Sequence, residues 1–253
     1  MFSNIKFFIF NKGIDSAVNY IFSKNRSSRG YVCLLATHGF SLSLINKEFE
    51  KVLTESRLVL PDGQPVSLYS SINNSTKSFR VRGIDFMEKI LLKFNSNKKS
   101  NRVFFLGGKP ELESKIIKII SLKYPNVNIV GFDTRIINLD HNNTDLIKKI
   151  NLMKPDVVFV GLGCPKQELW MYRNYKKINS ILIGIGAAFE FFSGSKKQAP
   201  KFFQTIYLEW LFRLFQEPRR LFFRYIIYNS LFLFHFLFFI LRFIKNRILS
   251  FKF

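Results

Sequence analysis

An α/β fold is what this sequence predicts, on three observations. Short apolar runs rich in Val, Ile, Leu and Phe alternate with amphipathic runs of helical spacing along residues 6–187. Several apolar runs end in glycine or proline turns, as strands feeding helices do. No internal repeat of roughly 20–50 residues competes with that rhythm. The alternation predicts a Rossmann-like, mostly parallel sheet with helices on both faces. The length of 253 residues suffices for one such domain and an appendage.

The elements follow in order. The stretch "KFFIF" (6–10) is read as a first strand, ending at the Asn11–Gly13 turn. "DSAVNYIFSK" follows as a helix capped by Asp15, and "YVCLLA" is a buried strand ending at Thr37. "LSLINKEFEKVLTES" is one helix, and "RLVLP" a short strand closed by Asp62 and Gly63. "GIDFMEKILLKF" is amphipathic, "RVFFL" a strand, and Gly107–Gly108 a tight turn. Pro110 opens the helix "PELESKIIKIISLKY". The strand "VNIVGF", the helix "NTDLIKKINLM", the strand "DVVFVGLG", the helix "KQELWMYRNYKK" and the strand "SILIGIG" complete the core.

Beyond about residue 194 the character changes. "SGSKKQAPKFF" is a polar, basic joint, and residues 201–253 carry nine Lys and Arg against two acids, Glu209 and Glu217. Aromatics crowd the same stretch at helical spacing. The division expected is a core over 1–195 and a basic aromatic appendage over 196–253. Within it, 231–244 (LFLFHFLFFILRFI) is nearly all apolar, and with "YIIYNS" before it the run reaches 20 residues, about the minimum for a span. Asn229, Ser230, His235 and Arg242 interrupt it, which favours a helix lying in the membrane interface over a span or a core helix.

The formal net charge of +22 implies an anionic partner. Nucleic acid is disfavoured, because the basic segment is too apolar for a solvated groove and no RRM, helix-turn-helix or zinc pattern appears. Cys33 and Cys164 stand far apart in the chain, which argues against a disulfide framework and structural zinc. His38, His141 and His235 share no ligand spacing, so no metal site is expected. The N-terminal apolar run is short and broken by Lys6, unlike a signal peptide, so the core is expected in the cytoplasm.

Ligands of open α/β sheets bind beyond the carboxyl ends of the strands. Four strand ends stand out: 37–40, 61–63, 107–110 and 161–167. Gly107 and Gly108 suit either a phosphate turn or a plain left-handed connection. "GLGCPKQE" opens with Gly161 and Gly163 but has Lys166 where a dinucleotide fingerprint has its third glycine, which excludes that reading. Gln167 suits a sugar or base contact, or simply a first helical turn. Asp62 suits a structural turn, or a base on a hydroxyl nucleophile.

Taken together, "LVLPDGQPV", "RVRGIDFM", "FFLGGKPELE", "YPNVNIVG", "PDVVFVGLGCPKQELW", "GIGAAFEFFSG", "APKFF" and "LEWLFRLFQEPRRL" resemble the bacterial WecG/TagA/CpsF glycosyltransferases in content and order, over roughly residues 30–225. The resemblance implies an inverting hexosyltransferase. It would move an N-acetylmannosamine-type or other sugar from a UDP-sugar to an undecaprenyl-diphosphate-linked sugar, in polysaccharide synthesis for cell wall, capsule or exopolysaccharide. It implies no cofactor, no essential metal, and a place on the cytoplasmic face of the bacterial inner membrane, peripheral or monotopic, against its anionic surface. Self-association into a homo-oligomer stays open.

Residue by residue, the resemblance puts the base on Asp62 and a pocket threonine on Thr37. It puts donor-side groups on Gly107, Gly108, Gly161, Gly163 and Gln167, and diphosphate-binding arginines near Arg213, Arg220 and Arg224, with Arg219 adjacent. The sequence departs from the pattern at "THGF", where His38 and Gly39 replace Pro and Asn, and at Phe79, Ala187 and Phe202. The alternative is a catalytically altered, membrane-associated protein that binds lipid diphosphate.

Overall fold

The computed structural model describes residues 5–23, 29–96, 101–139 and 143–250, the last five of these as backbone only; His141 lies outside the described residues. Helix α1 (Gly13–Ile21) leads into β1 (Gly30–Leu35), α2 (Thr37–Ile45), α3 (Lys47–Thr54), β2 (Leu58–Pro61) and α4 (Gln64–Asn73). Then come α5 (Gly83–Ser96), β3 (Asn101–Gly107), α6 (Pro110–Lys123), β4 (Val127–Asp133) and α7 (Thr144–Met153). The core closes with β5 (Val157–Gly161), α8 (Lys166–Asn174), β6 (Ile181–Gly184) and α9 (Ala188–Phe192). An arm follows: α10 (Lys201–Thr205), α11 (Glu209–Gln216) and α12 (Pro218–Ser250).

The six strands form one sheet in the order β2-β1-β6-β5-β3-β4, and every recorded pair is parallel. Strand side chains alternate faces, so each strand feeds two cores. Val32, Leu34, Val103, Phe105, Val157, Phe159, Ile181 and Ile183 meet α1, α5, α6 and α9 on one face. Tyr31, Cys33, Leu35, Phe104, Leu106, Val158, Val160 and Leu182 meet α2, α3, α4, α7, α8 and α12 on the other. Burial on both faces is why these runs read as continuous rather than alternating hydrophobics.

Two expectations change. The stretch 6–10 is not a strand of the sheet. It touches the outer edge of β2 through a single bridge, Ile9 to Val59, with the Phe10 N–H donating to the Val59 carbonyl at 2.9 Å. β2 has only four residues, so it offers little ladder, and the segment instead buries Phe7, Ile9 and Phe10 over that edge. The single helix expected over 42–56 is two helices. Asn46 leaves helical geometry (φ −124°, ψ 106°), and its side chain accepts the Phe49 N–H to cap α3.

The arm folds back on the core. At about 1.5 Å per residue the 33 residues of α12 run roughly 50 Å. Leu221, Arg224, Tyr228, Phe232, His235 and Phe239 recur at three- and four-residue steps, one face of a helix. Phe232 meets Phe40 of α2 with ring centroids 5.1 Å apart, and Phe239 meets Tyr69 of α4 at 4.7 Å. The Ser41 hydroxyl donates to the Tyr228 carbonyl at 2.6 Å.

Candidate functional site

Sheet order gathers the candidate residues. The carboxyl ends of five neighbouring strands stand in a row, carrying Asp62, Thr37, the Gly184–Gly186 turn, Gly161–Cys164 and Gly107–Gly108. Chain proximity does not do this; residues 37 and 107 share one edge of the sheet only because of the strand order.

Asp62 follows β2 directly and is partly exposed. Its N–H donates to the Leu35 carbonyl at 3.0 Å, which fixes it against the end of β1. Its Oδ1 accepts the Gly83 N–H at 3.2 Å, at the start of α5. Burial pushes its carboxyl above the ordinary aspartate range. Arg80, Arg213 and the Gly83 N–H pull the other way, while Glu209 adds to the rise. An aspartate held this way keeps a stronger affinity for a proton than a solvated one, which suits a general base. Thr37 opens α2, and a side chain placed on Gly63 would lie 3.6 Å from its Oγ1, so Thr37 stands beside the Asp62–Gly63 turn.

On the other side, Gly107 (φ +90°) packs so closely that an added Cβ would sit 2.8 Å from the Gly161 carbonyl oxygen. Glycine is required there for conformation and space alike. Gly108 donates to that same carbonyl at 3.3 Å. A side chain on Gly161 would strike the Phe189 ring at 2.6 Å. Gly163 differs: φ is +78°, yet nothing lies within 4 Å of where its Cβ would be. Its backbone faces open space, as a ligand approach requires. The Cys164–Pro165 peptide beyond it is cis.

Gln167 is buried, and its amide is committed within the protein. Oε1 accepts the Gly186 N–H at 3.0 Å, and Nε2 donates to Glu168 at 2.7 Å. It ties α8 to the turn after β6. Glu168 is buried as well, and burial raises its carboxyl despite that bond.

The arm reaches the row from above. Arg224 of α12 donates to the Cys164 carbonyl at 3.1 Å and to His38 Nδ1. His38 is held neutral: burial first, and the Arg224 charge second, lower its pKa to about 4. The Tyr228 ring stands edge-on to it at 4.3 Å. Arg224 itself is lowered first by burial, and the positive charges of Arg220 and Arg213 add to that lowering. Arg213 lies over the Phe191 ring at 5.6 Å. Arg220 pairs with Glu217, which also takes Lys196. Arg219 is exposed and makes no ion pair among the described residues. Of the four arm arginines, Arg224 is the one bonded at the strand ends; Arg213 and Arg220 act on it through their charge, and Arg219 points into solvent. Among the described residues, no three His, Cys, Asp or Glu side chains converge as a metal site.

The family model for the glycosyl transferase WecG/TagA/CpsF family matches residues 4–246. The chain belongs to this family. This WecG/TagA/CpsF glycosyltransferase is 34% identical over 177 residues to the N-acetylglucosaminyldiphosphoundecaprenol N-acetyl-beta-D-mannosaminyltransferase of Bacillus subtilis (strain 168), covering 69% of this chain and 67% of the relative. The enzyme of the same name from Staphylococcus aureus (strain MW2) is 29% identical over 222 residues, which is 87% of this chain and 80% of that one.

Two residues escaped the sequence reading. Arg80 donates from Nε to the Asp62 carbonyl at 2.7 Å and from its other nitrogen to Glu209 at 2.8 Å. The signal was an arginine within a motif and an acid opening an arm helix. Nothing in one dimension joins positions 129 residues apart.

Proposed function

We propose that this WecG/TagA/CpsF glycosyltransferase moves an N-acetylmannosamine-type sugar from a UDP-sugar to an undecaprenyl-diphosphate-linked N-acetylglucosamine, with inversion. The observation that supports the reading is the Arg224 guanidinium, bonded to the Cys164 carbonyl on the same row of strand ends that carries Asp62. The enzymes it resembles, N-acetylmannosaminyltransferases that act on N-acetylglucosaminyldiphosphoundecaprenol, suggest the acceptor and the transferred sugar.

Asp62 takes the proton from the acceptor hydroxyl as it attacks the anomeric carbon. The departing UDP gains negative charge on its diphosphate. Guanidinium groups answer that charge with forked hydrogen bonds and stay protonated throughout. Three like charges crowded together repel one another when no anion is present, and a diphosphate relieves the repulsion. Thr37 lines the pocket beside the base. The backbone around Gly107, Gly108, Gly161 and Gly163 takes the nucleotide side, and Gln167 holds the wall of that pocket. Residues 196–253 act as an arm that closes the crevice.

Helix α12 from Pro218 to Lys245 is long and apolar enough to cross a membrane. Its stripe on α2 and α4 is taken up by the core. The opposite stripe is bare, with Phe223 71%, Phe234 67% and Leu241 67% exposed. A helix packed on protein along one face and bare along the other lies in the plane of the leaflet, with its lysines and arginines toward headgroups. Each basic side chain there adds about 1 kcal/mol on an anionic surface. On this reading the surface is the cytoplasmic leaflet of the bacterial membrane, where a UDP-sugar donor would be supplied.

The assay is UDP release from UDP-N-acetylmannosamine in the presence of a short-chain lipid-diphosphate-N-acetylglucosamine. Acceptor-dependent release, with a new disaccharide lipid of inverted anomeric configuration, is expected. Retained configuration rejects the single-displacement mechanism. In flotation, the full chain is expected to rise with vesicles containing anionic phospholipid and to wash off under carbonate. Full resistance to carbonate contradicts the in-plane placement.

A further inference from the structure

Glu209 opens α11, the first long helix of the arm, and its carboxylate leaves the arm for the core. It accepts from Arg80 at 2.8 Å, and the two side chains are 20% and 22% exposed. The same guanidinium donates through Nε to the Asp62 carbonyl at 2.7 Å. Arg80 is thus a bridge, with the residue that carries the candidate base at one end and the arm at the other. The strip after it continues the clasp. Val81 donates to the Pro61 carbonyl at 2.8 Å, and Gly83 donates to the Asp62 carboxylate at 3.2 Å.

We propose that Glu209 is a positioning residue for Asp62, acting through the Arg80 guanidinium, so that seating α11 on the core completes the base. The inference rests on the transferase reading for its purpose, but not for its physical content.

Two effects act together. Geometrically, an arginine anchored at both ends holds the Asp62 backbone and keeps the carboxylate against the Gly83 N–H. Electrostatically, Glu209 offsets the cations around Asp62. The charged groups facing Asp62 are Arg80 and Arg82 from the strip before α5, the latter paired with Asp85, and Arg213 and Glu209 from α11. Without Glu209, only cations face the carboxylate directly. A carboxylate among cations gives up its proton readily and takes one from a hydroxyl poorly. The docked α11 brings Arg213, which lowers the proton affinity, and Glu209 beside it offsets that pull.

The test compares Glu209→Gln, which keeps shape and removes charge, with Glu209→Asp, which keeps charge. Both are read in the full chain by titrating Asp62 through carboxyl-carbon NMR, with Asp62→Asn assigning the resonance. Glu209→Gln is expected to move the Asp62 midpoint to lower pH, and Glu209→Asp to leave it near that of the parent. The acid limb of kcat/KM follows the same pattern, and kcat at neutral pH falls several-fold in Glu209→Gln alone. If Glu209→Gln leaves the midpoint in place, or if both variants shift it equally, the inference is overturned. The titration needs no substrate. A shifted midpoint in a protein that turns over no UDP-sugar would therefore sustain the coupling and reject the transferase reading instead.

Discussion

Asp62→Asn lowers turnover by about 10²–10⁴-fold, the contribution of a positioned general base, while thermal stability at neutral pH does not fall. The two halves belong together. Burial raises the Asp62 carboxyl above its ordinary range, against the pull of Arg80 and Arg213. The folded state therefore holds this proton more tightly than the unfolded chain does. Its contribution to stability is greatest below the ordinary aspartate range and falls as pH rises through the folded-state value. Asparagine stays neutral at every pH, and its oxygen still accepts the Gly83 N–H, so the variant loses that slope. In the parent, kcat/KM rises with pH along an acid limb displaced above the ordinary aspartate range. Steady-state kinetics and melting curves from pH 4 to 8, a window of about four units around the ordinary aspartate value and above it, check both halves. Unchanged turnover in Asp62→Asn removes Asp62 as the base.

Arg224→Ala is expected to cut kcat/KM by about 10²–10³-fold, the usual cost of removing one preorganised donor from developing charge. Arg224 is the arm residue that enters the strand-end row, through the Cys164 carbonyl and His38 Nδ1. Arg224→Lys should recover little, because an ammonium cannot reproduce the fork. Arg220→Ala also falls sharply, although part of that loss comes from leaving Glu217 with Lys196 as its remaining ion-pair partner. Arg219→Ala is the control, since that side chain is exposed outside the cluster and should change kcat/KM by less than about threefold, as a surface change of roughly 0.5 kcal/mol does. Loss at Arg219 equal to that at Arg224 would assign the effect to general membrane charge rather than to the crevice.

Much of the fold was legible because its causes are local. Strands buried on both faces need unbroken apolar runs, and β1, β3, β5 and β6 have them. The glycine at the end of β3 and Pro110 at the start of α6 are demanded by backbone geometry that sequence displays directly. What was not legible depends on neighbours. Residues 6–10 have strand chemistry, but they meet β2 through one bridge only and bury Phe7, Ile9 and Phe10 over its edge. The break at Asn46 is one residue wide, and amphipathic spacing runs straight across it. Helix α4 (QPVSLYSSIN) escaped because Ser67 and Ser70 are polar yet buried, so no clean apolar stripe appears.

The candidate site divides in the same way. Asp62 and the glycine turns were legible because a strand end announces them, and the arm arginines because they recur among aromatics. That His38 would meet Arg224 was hidden, since those residues lie 186 positions apart and meet only where α12 crosses α2. Gln167 read as a group free for a ligand or idle in a first turn. In the fold it is a tie between α8 and the turn after β6, a role set by the burial of both.

The crossing of α12 over α2 has a kinetic consequence. The helix that would lie in the leaflet is the one that presents Arg224 to the crevice, so the height of the reaction centre above the lipid is set by how α12 seats on α2 and α4. An enzyme fixed in this way meets its acceptor by lateral diffusion in two dimensions. Its rate should then track the mole fraction of acceptor among the surrounding lipids, and adding inert lipid at constant total acceptor should slow it.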